Sequence, residues 1–147
     1  MEIGVWFIVF FIIMWALGPA TQALQLIAPK LHSKLGLMEK AAFEPEFKWF
    51  LLEQRGTAYA DLTFFFSGIV FVWLALAGSP TAPIFGLYSC ACYVYFATLY
   101  LAQFVLLSQH NLHPVSKGQI GVYVAYAGLF LFFGLYGLFY LWGVVQG

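Results

Sequence analysis

The chain is 147 residues long, 63% hydrophobic, 21% aromatic and only 8% charged, with six basic and six acidic side chains and a formal net charge of zero. Soluble domains carry roughly 45–50% apolar and about 25% charged residues, so this composition excludes a soluble globular domain and predicts a one-domain, all-α, multi-pass integral membrane protein. The balanced charge removes the basic surface on which nucleic-acid binding depends, and no nucleic acid is expected as a partner.

The first apolar run, residues 3–28, begins almost at Met1 without the Lys/Arg-rich lead of a secretory signal, and it is too long for a signal core. It reads as a first transmembrane span. Gly18-Pro19 lies inside it, and a proline there removes one backbone hydrogen bond and predicts a kink.

Ten of the twelve charged residues then fall between Lys30 and Asp61, leaving only Glu2 and Lys117 outside. Within the polar segment 29–53, Leu31, Leu35, Leu37 and Met38 alternate with His32, Lys34, Glu39 and Lys40, which predicts a short amphipathic helix at the membrane surface with its lysines among the headgroups. Pro29, Gly36 and Pro45 punctuate it. Glu44 and Glu46 flank Pro45 and meet the positive end of the next helix dipole, so a helix is expected over 46–77, amphipathic at first and membrane-spanning over 54–77.

An uncharged turn at 78–83 leads to a third span, 84–108. A short loop, 109–118, leads to a fourth, 119–145. Each run exceeds the roughly 20 residues needed to cross about 30 Å of hydrocarbon, so the expected fold is a four-helix membrane bundle with the amphipathic interfacial segment between helices 1 and 2. All six Lys and Arg residues lie on the side of the 29–53 and 109–118 loops; by the positive-inside rule that side is cytoplasmic and both termini lie outside. Trp6, Trp49, Trp73 and Trp142 fall near the expected membrane boundaries, where indoles prefer to sit, and only Trp15 is mid-span. The fourth span intersperses Gly121, Gly128, Gly134, Gly137 and Gly143 with large rings, a pattern that lets helix backbones approach closely. Cys90 and Cys92 point in different directions on a helix and read as small apolar packing residues.

Side chains able to carry chemistry concentrate at the start of the second span. Glu53, Thr57 and Asp61 recur every four residues, with Gln54 beside them, and place a polar stripe on one helix face. An ionised carboxylate inside a membrane needs a partner, water or a proton, so Asp61 is either a ligand- or proton-handling group or a hydrogen-bonding tie between helices. Arg55 lies well around the helix from Asp61 and reads as a lipid anchor or as the holder of an anionic group; Tyr59 is a further proton-bearing candidate. His110 and His113 have a spacing that admits a shared metal only on a helical loop, which Pro114 interrupts, and His32 is the only other histidine. The aromatic clusters Phe64-Phe65-Phe66, Tyr93-Val94-Tyr95-Phe96 and Phe130 to Tyr140 suit either a lipophilic ligand or ring packing among small residues.

Four spans in about 150 residues with the charged loop between the first two, Pro45-Glu46-Phe47, Gln54 and Lys117-Gly118 together resemble the layout of the MAPEG superfamily of membrane glutathione transferases and eicosanoid enzymes. That resemblance implies an enzyme for lipophilic substrates, although the arginines and the asparagine of that family's glutathione site have no counterparts here, Arg55 being the only arginine. Pro29, Leu35-Gly36 and Glu53-Gln54-Arg55-Gly56 are similar to the corresponding stretch of small four-helix DoxX-like membrane proteins, which implies the bundle and little about activity.

Sparse polarity, short loops and the lack of a nucleophile–base set, phosphate loop or metal motif in the sequence favour a non-catalytic accessory or structural subunit. It would pack against a larger membrane complex and against lipid, quinone or pigment. The alternative is a MAPEG-like enzyme or carrier, with Arg55 holding an anionic group and Asp61, Glu53 or Tyr59 moving a proton. The expected partners are membrane lipids and either other membrane subunits or further copies of the chain, and the sequence assigns no cofactor.

Overall fold

A computed structural model describes residues 2–35, 44–110 and 117–147. It contains helices α1 (Val5–Leu17), α2 (Pro19–Ile27), α3 (Pro29–Lys34), a single 3-10 turn at Pro45–Phe47, α4 (Lys48–Ala60), α5 (Leu62–Leu76), α6 (Ala82–Gln109) and α7 (Lys117–Gln146), with no strand among the described residues. Four stretches are long and apolar enough to cross a membrane: Val5–Ile27, Pro45–Leu76, Ala82–Gln109 and Ile120–Gln146. The chain is a small all-α, multi-pass integral membrane protein. Of the expected surface helix, α3 covers the beginning; residues 36–43 lie outside the described part.

Local chemistry sets the helix ends. Proline stands in the first turn of α2, of the 3-10 turn and of α6, where its missing N–H costs nothing. The chain leaves α5 through Gly78 at φ +66°, with Ser79 N–H donating to Leu74 O at 2.9 Å and Gly78 N–H to Ala75 O at 3.1 Å. This paired closure needs a residue at positive φ, which glycine adopts without a Cβ clash.

The spans run up and down in sequence order. Trp15 Nε1 donates to Phe65 O at 3.0 Å, Ser67 and Ser89 hydroxyls meet at 2.9 Å, Tyr93 stacks on Phe130 at 5.4 Å, and Phe7 stacks on Tyr140 at 4.6 Å. These contacts set the antiparallel registers of the first span on the second, the second on the third, the third on the fourth and the fourth on the first.

Lipid tails are as apolar as side chains, so helices associate in a membrane through close packing and hydrogen bonds rather than through hydrophobic burial. The core answers that requirement with rings: Phe7, Phe11, Phe71, Tyr93, Phe130 and Phe133 are fully buried. Glycines make room for them. A Cβ at Gly134 would lie 2.9 Å from the carbonyl oxygen of Cys90, so α7 reaches the α6 backbone only because that position has no side chain. Cys90 is buried and Cys92 half-buried, both as free thiols.

The second span runs Pro45–Leu76, close to the helix expected over 46–77, and opens with the 3-10 turn. Asp61, at φ −72° and ψ −10° between α4 and α5, relaxes the helix slightly without breaking it: its N–H donates to Thr57 O and Phe65 N–H donates to Asp61 O, both at 2.9 Å.

Candidate functional site: the first-span break and the polar second span

The first-span break is at Gly18-Pro19. Pro19 has no N–H to give to the carbonyl of Trp15, and Thr21 N–H turns to Gly18 O at 3.0 Å, which takes the usual donor away from Leu17 O. Side chains replace it. The Thr21 hydroxyl lies 3.0 Å from Leu17 O and 2.6 Å from Gly18 O, and the Tyr126 hydroxyl of α7 donates to Leu17 O. Gly18 also faces the Phe130 ring, the nearest ring carbon lying 2.7 Å from where its Cβ would stand, so a side chain there would displace Phe130.

Asp61 stands opposite this break. With Trp15 held to Phe65, the antiparallel register carries Gly18 and Pro19, one turn further along the first span, to the level of Asp61 and Leu62. Phe64, three residues beyond Asp61, meets Tyr93 edge-on at 4.4 Å; Tyr93 stacks on Phe130, which fills the space in front of Gly18. A continuous run of rings therefore leads from Phe64 to the Gly18 break. Cys92 of α6 lies within electrostatic reach of Asp61.

Three buried side-chain oxygens have no hydrogen-bond partner among the described residues: Asp61 Oδ2, Gln22 Oε1 and the Tyr93 hydroxyl. Gln22 lies on the α2 face that turns into the bundle, bracketed by buried Pro19, Ala23 and Gln25, and α2 packs against α4 and α5. Below this level the second span continues the polar character with buried Gln54 and with Glu53 Oε1 accepting from Gln103 Nε2 of α6 at 2.9 Å.

The stripe expected from sequence divides. Gln54 and Ala58 are buried, Thr57 and Asp61 are half-buried and Glu53 is exposed; Thr57 donates its hydroxyl back to Glu53 O at 3.1 Å. Arg55 and Tyr59 are both exposed on the helix surface, so neither joins the interior oxygens. His110 caps α6 and is exposed, while His113 lies outside the described residues. No three His, Cys, Asp or Glu side chains gather to hold a metal among the described residues.

Gln22 and Tyr126 are absent from the sequence-derived candidates, and Tyr93 figures there only within an aromatic cluster. Gln22 and Gln25 are polar residues three apart in an otherwise apolar run, a signal that was available. Tyr126 gave none, being one tyrosine among nine. His32 is 5% exposed, and burial lowers its pKa.

Comparison with family models, curated proteins and solved structures found no match to this chain.

Proposed function

We propose that this protein is a non-catalytic accessory subunit whose fourth span packs against helices of a larger membrane complex. The observation that carries this reading is an open stripe on α7. Gly121 and Gly128 have no atom within 4 Å of where a Cβ would stand, and Ala125 between them is exposed as well. A backbone bared at Gly-x-x-x-Ala spacing is the surface on which membrane helices approach most closely; Gly134 and Gly137 show the same device already used inside the chain, against Cys90. Lipid accompanies the partner: an open groove of about 480 Å³ beside Ile27, Pro29 and Leu31, with Lys30 and Lys34 at its edge, suits an acyl chain below an anionic headgroup. With those lysines in the headgroup layer, the polar loops face the cytoplasm by the positive-inside rule.

The test is gentle-detergent extraction of the native protein, followed by native mass spectrometry of wild type and of Gly121→Leu and Gly128→Leu. Co-migrating larger subunits that are lost in both variants, with the helical circular dichroism unchanged, are the expected result. A wild-type chain that migrates alone contradicts the reading.

One observation favours a second reading. The unpartnered Asp61 oxygen inside the bundle fits a MAPEG-like or carrier role for a lipophilic substrate with a hydrogen-bond donor. In that case Asp61→Asn abolishes turnover or transport while assembly persists.

A further inference from the structure

We propose that the groove at the corner between α2 and α3 binds a membrane lipid whose headgroup ends in a phosphate monoester, of the phosphatidic acid class, with Lys30 and Lys34 holding the phosphate. This rests on the reading of that groove as a lipid site and names the headgroup; it does not depend on what the fourth span packs against.

The backbone builds the corner. α2 ends at Ala28, at φ −139° and ψ 65°, and the chain restarts as α3 with Leu31 N–H and His32 N–H both donating to Ala28 O, at 2.9 and 3.0 Å. The turn puts polar side chains inward and apolar ones outward: His32 is buried, whereas Ile27 is 81% exposed and Leu31 and Leu35 are exposed as well. A helix adopts that arrangement when its outer face lies at the boundary of headgroups and acyl chains, and the first membrane stretch, Val5–Ile27, ends at this point. Ile27, Ala28, Pro29 and Leu31 line a groove of about 480 Å³, together with Lys30 and Lys34. One surface thus supplies an apolar trough and two cations at its edge.

The count of charges selects the headgroup. Lys30 and Lys34 stand one helical turn apart on α3, close enough for both ammonium groups to meet one phosphate. Among the described residues no acidic side chain lines the groove, so the two cations are matched in full by a headgroup with two negative charges. A phosphodiester carries one. A phosphate monoester carries about −1.5 to −2 near pH 7, its second pKa being about 6, and offers three acceptor oxygens. Neighbouring ammonium groups favour its doubly ionised form, so binding and ionisation reinforce each other.

The experiment follows thermal unfolding of the full chain in neutral detergent micelles at constant ionic strength, while dioleoyl phosphatidic acid, phosphatidylglycerol or phosphatidylcholine is added. At neutral pH the expected result is a saturable rise in the midpoint with phosphatidic acid, at a half-saturation roughly fivefold or more below that of phosphatidylglycerol, and no rise with phosphatidylcholine. At about pH 5, below the second pKa of the monoester, the two anionic lipids should converge. Phosphatidylglycerol controls for the protein's own titration: α2, the helix packed on α3, has no titratable side chain, and besides the two lysines α3 carries only the buried His32, which acts alike on both lipids. Lys30→Gln and Lys34→Gln, at exposed positions, should each reduce the preference. The wild-type titration needs no variant to fold: equal half-saturations for the two anionic lipids overturn the monoester assignment and leave an anionic-lipid groove standing, whereas no rise with either overturns both. A preference that persists undiminished in the double variant, or a rise reproduced by glycerol 3-phosphate without acyl chains, also overturns the proposal.

Discussion

The hydroxyl of Tyr126 donates to the carbonyl of Leu17, tying the last residue of α1 to the fourth span at the point where the first helix breaks. The bond replaces what the backbone gave up when Thr21 N–H turned to Gly18 O. A broken membrane helix is tolerated where neighbouring side chains satisfy the freed groups in this way.

Tyr126→Phe keeps the ring against Phe130, 4.6 Å away, and removes only the hydroxyl. With the Thr21 hydroxyl still available to Leu17 O, the expected loss is about 1 kcal/mol. Tyr126→Phe combined with Thr21→Val should cost more than the sum of the two single changes, because only the pair leaves the carbonyl without a side-chain donor. Reversible unfolding in mixed micelles measures both.

The glycines of the fourth span should separate into two classes. Gly134→Ala brings a Cβ to 2.9 Å from the Cys90 backbone carbonyl, which cannot yield as a flexible side chain would, and should destabilise the bundle by about 1–3 kcal/mol. Gly128→Ala meets nothing within 4 Å and should leave the isolated chain as stable or up to about 1 kcal/mol more so, through helix propensity alone. Equal effects at the two positions would contradict the packing of α7 on α6.

Ser67 donates its hydroxyl to Phe64 O at 2.9 Å, so the 2.9 Å contact with Ser89 is made by the Ser89 hydrogen. Ser89→Ala removes that donor, and Ser67→Ala removes both bonds. A double-mutant cycle should return a coupling of about 0.6 kcal/mol, the usual size for polar ties between membrane helices. A coupling near zero would show that the two hydroxyls do not meet.

His32 imparts a pH dependence whose sign follows from its burial. Its folded pKa lies below the ordinary 6.5 because burial disfavours the imidazolium. Above about pH 6.5 both folded and unfolded chains carry a neutral ring and the residue adds no slope. As the pH falls below that value the unfolded chain takes a proton that the folded chain refuses, so stability declines down to the folded pKa. Unfolding midpoints should therefore drop between neutral and mildly acidic pH, and His32→Leu should flatten that part of the curve.

Span number and helical class could be read from the chain alone because both depend on composition averaged over twenty or more residues, which no tertiary contact reverses. The Gly18-Pro19 kink was legible for a related reason: a missing N–H is a property of proline itself. Among Glu53, Gln54, Arg55, Thr57, Tyr59 and Asp61, periodicity placed the polar residues on a helix without deciding which of them turned inward. Packing decided it: α2 lies against α4, Gln54 is buried, and Arg55 and Tyr59 remain exposed. Gln22, Tyr93 and Asp61 belong to three different spans, so how they lie relative to one another depends on the antiparallel register set by Trp15 on Phe65 and by Tyr93 between Phe64 and Phe130. Register is a relation between helices, and a single chain of letters does not contain it until the helices have met.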